Sequence, residues 1–236
     1  MGERETISDR LFQRLRAEII SGELAEGSLH SIYALADRFD VSRTPARDAA
    51  LRLADAGLVT IERNRGVRIR GTGVGDIRRI FELRMLLEIP AARFAAAHCT
   101  AERAAQLTGD IEAMRAAVDA GDVSGFVARD IVLHERLLGA MDNERLVAQV
   151  RALRELTLVM DASTFERSRS LGDVHGEHLP VVRAVIDRDP AAAGAAMSDH
   201  LVRTARLLMA QIARRTGETV PHDWPGALLD AASPPR

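Results

Sequence analysis

Leu35-Ala36-Asp37-Arg38-Phe39-Asp40-Val41-Ser42-Arg43-Thr44-Pro45-Ala46-Arg47-Asp48-Ala49 is the stretch whose reading decides the fold. Asp40-Val41 makes a tight turn after a short helix over Ser31–Phe39. Ser42 can cap the next helix, and Pro45 is tolerated in a first turn, where its missing N–H has no intrahelical partner anyway. That helix runs Arg43–Ala56 and stops at Gly57. Upstream, Ile7, Leu11, Leu15 and Ile19 recur every four residues and predict an amphipathic first helix ending near Gly22. Downstream, residues 58–62 and 67–70 alternate as strands, joined by the turn Arg63-Asn64-Arg65-Gly66. Helix, helix, turn, helix and basic hairpin is the order of a winged helix-turn-helix.

The charges suit that reading. The chain has 236 residues and a formal net charge of −2, and all 32 basic residues are Arg. So uniform a preference reflects coding composition more than function, and it discounts single arginines. Their distribution is still uneven: residues 1–70 carry net +1 and residues 71–236 net −3. Arg43–Arg70 holds seven Arg against three acids, the local footprint expected for a polyanion. A third helix entering a major groove N-terminus first would expose Arg43, Thr44 and Arg47 to base edges and phosphates. Arg63 and Arg65 would reach the minor groove or its backbone. The competing reading is a solvated face on a protein that uses only arginine.

Beyond Gly71-Thr72-Gly73-Val74-Gly75, a glycine-rich joint, everything reads as helix. Helices are expected over 76–97, 100–120, 122–140, 143–163 and 176–187. A last one has Asp189 as N-cap, Pro190 at its first position and Gly217 past its end. Residues 218–236 hold four of the eight prolines and read as a disordered tail. Aromatic residues at 3% imply an aliphatic, Ala-rich core of packed helices. One cysteine excludes a disulfide framework and fits a reducing cytoplasm. The absence of a long apolar run excludes a membrane span. The fold class expected is mainly α, with a winged helix-turn-helix over 1–70, a linker over 71–75 and an all-helical domain over 76–217.

Within that domain, Asp130 and His134 share one helix face with Phe126. His178 lies on a stripe with Val182 and Val185, and His200 with Met197, Leu201, Thr204 and Leu208. Four inward polar residues on three helices need partners, because burying each alone would cost about 2 kcal/mol or more. Three imidazoles and a carboxylate make a site for a divalent transition ion with open coordination positions. Ordinary core histidines bonded to carbonyls, with an Asp–His pair, are the alternative.

Over about residues 7–70, Gly22-Glu23-Leu24, the stretch quoted first and Leu53-Ala54-Asp55-Ala56-Gly57-Leu58-Val59 resemble the GntR family of bacterial transcription regulators. The resemblance implies that Arg43 and Arg47 read guanine, that Thr44 contacts the backbone and that the Gly66 turn tips the wing. His30-Ser31-Ile32-Tyr33 departs from the pattern, and with it any contact from the second helix. Asp130-x-x-x-His134, Glu177-His178 and Met197-Ser198-Asp199-His200-Leu201 resemble the FCD effector domain of FadR-type members, over about residues 76–215. The resemblance implies a divalent metal on Asp130, His134, His178 and His200, with zinc first and nickel, iron or manganese as alternatives. It also implies an effector contact from Arg84, whose other reading is an exposed pair with Glu88. The function expected is a cytoplasmic repressor, a homodimer on an inverted-repeat DNA operator, answering to a small carboxylate and performing no catalysis. A metal-dependent enzyme or a dedicated metal sensor is the alternative use of the same four ligands.

Overall fold

The computed structural model describes residues 6–71, 73–159 and 168–226. Helix α1 (Ile7–Ser21) starts at a capping box, in which Thr6 Oγ1 accepts from the Asp9 amide and Asp9 Oδ2 accepts from the Thr6 amide. It ends at Gly22, which takes the left-handed conformation (φ 81°) that L side chains resist. Strand β1 (Leu29–His30), α2 (Ile32–Arg38), α3 (Arg43–Asp55), β2 (Val59–Glu62) and β3 (Gly66–Ile69) follow. Ala46, Ala49, Ala50 and Leu53 form the buried face of α3. Three alanines among the four let its backbone approach α1 and α2 closely, and leave Ser42, Arg43, Thr44 and Arg47 outside.

The hairpin is part of a three-stranded antiparallel sheet in the order β1-β3-β2. Leu29 pairs with Arg68 and His30 with Val67, a strand that no local pattern in the sequence announces. Gly66 is required here. A Cβ on it would lie 2.1 Å from the His30 carbonyl oxygen, and its φ of +122° excludes L side chains independently.

The helical region comprises α4 (Val74–Ala97), α5 (Ala101–Ala120), α6 (Val123–Leu138), a 3-10 turn at Gly139–Met141, α7 (Glu144–Val159), α8 (Leu171–Ile186) and α9 (Pro190–Thr216). Helix α4 packs along α9, α8 packs against α9, and α5 lies against α6 and α8. The cap expected at Asp189 is formed, Thr100 and Asp122 cap α5 and α6 in the same way, and Asn143 Oδ1 accepts from the Leu146 amide at 3.1 Å.

Three expectations change. Helix α4 begins at Val74 with Gly73 as its cap, so Gly75 belongs to the helix rather than to the 71–75 linker; Thr72 lies outside the described residues. Its first turn is held by Asp76 Oδ2, accepting from the Gly73 amide at 3.0 Å, and by Glu218 Oε2, accepting from Val74 at 2.9 Å. Helix α8 starts at Leu171 rather than near 176, because Ser170 and Asp173 form a capping box there. The C-terminal stretch is ordered as far as it is described. Trp224 is buried, donating Nε1 to Glu82 at 3.1 Å, and its carbonyl accepts from Arg206 at 2.9 Å. Residues 227–236 of the expected tail, and 160–163 of the expected helix over 143–163, lie outside the described residues.

Candidate metal centre and nucleic-acid interface

His134 on α6, His178 on α8 and His200 on α9 are buried with a ligand atom from each within 4.8 Å of the others. Asp130 Oδ1, one turn before His134, lies 3.0 Å from His178 Nε2 and 3.8 Å from His134 Nε2. Each ring is fixed from behind through Nδ1. His134 Nδ1 meets Glu88 Oε2 at 2.5 Å, His178 Nδ1 donates to the Val174 carbonyl at 2.8 Å, and His200 Nδ1 meets Glu177 Oε2 at 3.2 Å. Such partners place a proton on each Nδ1 and turn Nε2 toward the centre of the group.

The electrostatics agree. Burial pulls His134 down to about 4 and His200 down to about 3, Arg154 adding to the first and His178 to the second. Both rings are therefore neutral at physiological pH. Burial alone would raise Asp130, but the Arg154 guanidinium and the His178 contact outweigh it and hold the carboxyl well below the ordinary range. Glu88 is likewise held low against its burial by Arg84 and His134. His178 Nε2 lies 3.0 Å from the Asp130 oxygen and 3.2 Å from His134 Nε2, a close group of nitrogen and oxygen atoms. The donor set, nitrogen and oxygen with no thiolate, fits a divalent transition ion.

All four sequence-derived ligands are thus brought together. Arg84 makes the expected pair with Glu88, at 2.7 Å, but the pair is buried (6% and 1% side-chain exposure) rather than solvated. The guanidinium lies 4.7 Å from the Phe81 ring centroid and lines a cavity of about 380 Å³ that also reaches Asp130, His134 and His200. Sequence reasoning missed Glu88 as His134's partner, Glu177 as His200's, and Arg154, which donates from α7 to Asp130 Oδ2. The first two were within reach: Glu88 sits on the inward stripe of α4, and Glu177 precedes a ligand. His175 is buried away from this group with Nε2 3.3 Å from the Ile111 carbonyl, and His98 stacks on Phe94.

On the N-terminal module, Arg47 and Arg63 are exposed and have no acceptor among the described residues. Arg65 pairs with Glu62 at 2.7 Å, which blunts the charge of the wing. Arg43 stacks on exposed Tyr33, 4.5 Å from the ring centroid, and donates to its hydroxyl. The departure at Tyr33 therefore supplies a platform for Arg43. Asn64, in the left-handed region (φ 62°), makes the tip of the wing.

Residues 7–69 match the bacterial regulatory proteins of the gntR family, and residues 79–203 match the FCD domain. The HTH-type transcriptional repressor RspR of Escherichia coli (strain K12) is 25% identical over 197 residues, covering 84% of this chain and 86% of that protein. The Nta operon transcriptional regulator of Aminobacter aminovorans is 30% identical over 169 residues, covering 71% and 78%. Lar, which controls the expression of the Listeria monocytogenes agr system, shares the fold, with a TM-score of 0.68 at 15% identity over 89% of this chain and 99% of that one. No helix among the described residues is long and apolar enough to cross a membrane. With a winged module and a helical domain that both match over nearly their full lengths, the chain belongs to the GntR family of bacterial transcription regulators, in the branch that carries an FCD domain.

Proposed function

We propose that this regulator is a ligand-responsive repressor whose helical domain holds a divalent metal and senses a small organic acid. The observation that carries the proposal is the buried cluster of Asp130, His134, His178 and His200, opening on a cavity that Arg84 also lines. These four residues would hold the ion, zinc by preference. When bound it would supply positive charge and open positions for a carboxylate oxygen. Arg84, fixed by Glu88 and Phe81, would pair with the same acid. Repression, rather than activation, is supported by relatives such as RspR and the probable D-xylose utilization operon repressor of Paenarthrobacter nicotinovorans.

DNA contact falls to α3 and the wing. Arg47 and Arg43 would read guanine edges, with Arg43 first leaving Tyr33. Ser42 and Thr44 at the helix start would meet phosphates, and Arg63 and Arg65 the minor groove, on a wing whose backbone Gly66 keeps close to β1. A homodimer would present two such modules to an inverted repeat. It is supported by an exposed stripe on α4, where Arg79, Leu83, Leu86 and Pro90 follow one face.

Coupling between the sites is supported by α7. Its Glu155 lines both the cavity beside the histidines and a cleft formed by Phe12, Arg52 and Asp55 of the winged module. The test uses two variants and two readouts. Arg47→Ala is expected to abolish operator binding with metal content intact; His178→Ala is expected to lose metal and acid response while still binding DNA. Equal loss of both properties in either variant refutes the two-module account.

A further inference from the structure

The cavity beside the histidines offers more cationic donors than a single carboxylate would use. Arg84 gives Nε to Glu88, and neither of its Nη groups has an acceptor among the described residues. Arg154, entering from α7, gives Nη2 to Asp130 Oδ2. Its Nε is buried with no acceptor, and Nη1 finds none among the described residues either. Arg154 Nε is sealed from the cavity, so the edge it can offer a ligand is the Nη1–Nη2 end, where one carboxylate meets Nη1 and the remaining Nη2 hydrogen at once.

The local charge balance points the same way. Among the described residues, Arg84 and Arg154 stand against Glu88 and Asp130, all of them more than four-fifths buried and cancelling in number. Glu135 is paired with Arg151 nearer the mouth, and Glu155 is exposed to solvent. A divalent ion on the histidines then adds two positive charges that these described residues do not compensate, in a cavity walled by Phe81, Ile131, Leu138 and Leu208. Low-dielectric walls make that excess expensive, and a dianion with an apolar body removes it.

Building on the organic-acid reading above, we infer that the effector is a dicarboxylate, with one carboxylate at the histidine site beside Arg84 and the second on the free edge of Arg154. Arg154 is then the residue that separates diacids from monoacids. A cavity of about 380 Å³ is larger than an inorganic phosphate fills, and the apolar walls match a carbon chain between two charged ends.

The experiment is calorimetric titration of zinc-loaded full-length protein with butyrate, succinate, valerate, glutarate and inorganic phosphate. Each diacid is expected to bind at least tenfold more tightly than the monoacid of equal length, and more tightly than phosphate. In Arg154→Gln the ratio should collapse to within twofold. The ratio is the readout, so a general loosening of the site cancels. Arg154→Lys keeps a charge opposite Asp130 but loses the fork, and it should lose most of the ratio while retaining zinc. This variant decides the matter if Arg154→Gln does not fold. Monoacids binding as tightly as diacids, phosphate binding as tightly as either, or discrimination surviving both substitutions overturns the dicarboxylate assignment and leaves organic-acid sensing standing. Binding by none of the five overturns both.

Discussion

Glu88 is the residue on which the metal site and the fold depend together, and Glu88→Gln separates the two demands. Its carboxylate accepts from Arg84 Nε at 2.7 Å through one oxygen and meets His134 Nδ1 at 2.5 Å through the other. Both partners are buried, Arg84 at 6% and Glu88 at 1% side-chain exposure. Removing one charge of such a pair strands the other, a loss of about 3–5 kcal/mol. In a chain of this size each kcal/mol shifts Tm by roughly 2–4 °C, so the zinc-free variant should melt about 6–20 °C lower. The second effect is on the ion. An amide oxygen still accepts from His134 but no longer holds the ring by charge, and loss of such outer partners weakens metal binding by about 10–100-fold. At saturating zinc a hundredfold weaker Kd removes about 2.7 kcal/mol of metal-linked stabilisation. Chelator competition measures the affinity, and calorimetric melting with and without zinc measures the stability. The double variant Arg84→Met with Glu88→Gln removes both charges and should recover much of the stability but none of the affinity. Zinc affinity within twofold of the native protein in Glu88→Gln would refute the orienting role.

Further outcomes follow from the same geometry. Gly66→Ala places a Cβ 2.1 Å from the His30 carbonyl at φ +122°, so urea unfolding should show the winged module weakened by at least about 1–3 kcal/mol, with operator binding lost; a native-like profile would exclude the close approach. Zinc-free protein should lose stability as pH falls from about 7 to about 4. His134 and His200 are depressed to about 4 and about 3 from 6.5, so the unfolded chain binds more protons across that window. Asp130 and Glu88, depressed from 3.8 and 4.5, add loss of the same sign at the acid end. Denaturant midpoints that stay flat between those limits would contradict the neutral-imidazole assignment. If the proposed homodimer forms through the exposed stripe of α4, Leu86→Arg should convert it to monomers in sedimentation without changing zinc content; an unchanged sedimentation coefficient would refute that interface.

What could be read from sequence was whatever one element's own periodicity and punctuation encode. Helix α3 was legible from its punctuation, the turn before Ser42, Pro45 in the first turn and Gly57 at the end, although Ser42 makes no side-chain cap hydrogen bond. The clustering of Asp130, His134, His178 and His200 was legible because each lies on an inward stripe of a single helix. Strand β1 was not, since two residues carry no alternation and their pairing to Val67 and Arg68 is long-range. The start of α8 was written as Ser170-x-x-Asp173, a capping signature that the histidine stripe farther along overshadowed. The C-terminal stretch was misjudged by its prolines, when Trp224, the only tryptophan, was the better guide to a buried anchor. Arg154 gave no warning, because its pairing to Asp130 crosses from α7 to α6 and neither helix alone marks it.

The proposed coupling can be weighed by what it must supply. A hundredfold drop in operator affinity needs about 2.7 kcal/mol of differential binding between two arrangements of the chain. Charge-assisted hydrogen bonds contribute about 1.5–3 kcal/mol each, so rearranging those of Arg84 and Arg154 is sufficient. Both arginines sit on elements that leave the site in the direction of the DNA module. Arg84 is ten residues from the start of α4, about 15 Å along its axis. That start is pinned by Asp76 and Glu218, next to the joint that leads to the DNA module. Arg154 lies one residue from Glu155, which borders the cleft with α1 and α3. Acid drawn between the two arginines would pull on α4 and α7 together, one leading to the joint and the other forming the surface on which the module rests. An ion on the histidines would act through the same two arginines, because His134 meets the Glu88 that holds Arg84 on α4 and Asp130 accepts from Arg154 on α7.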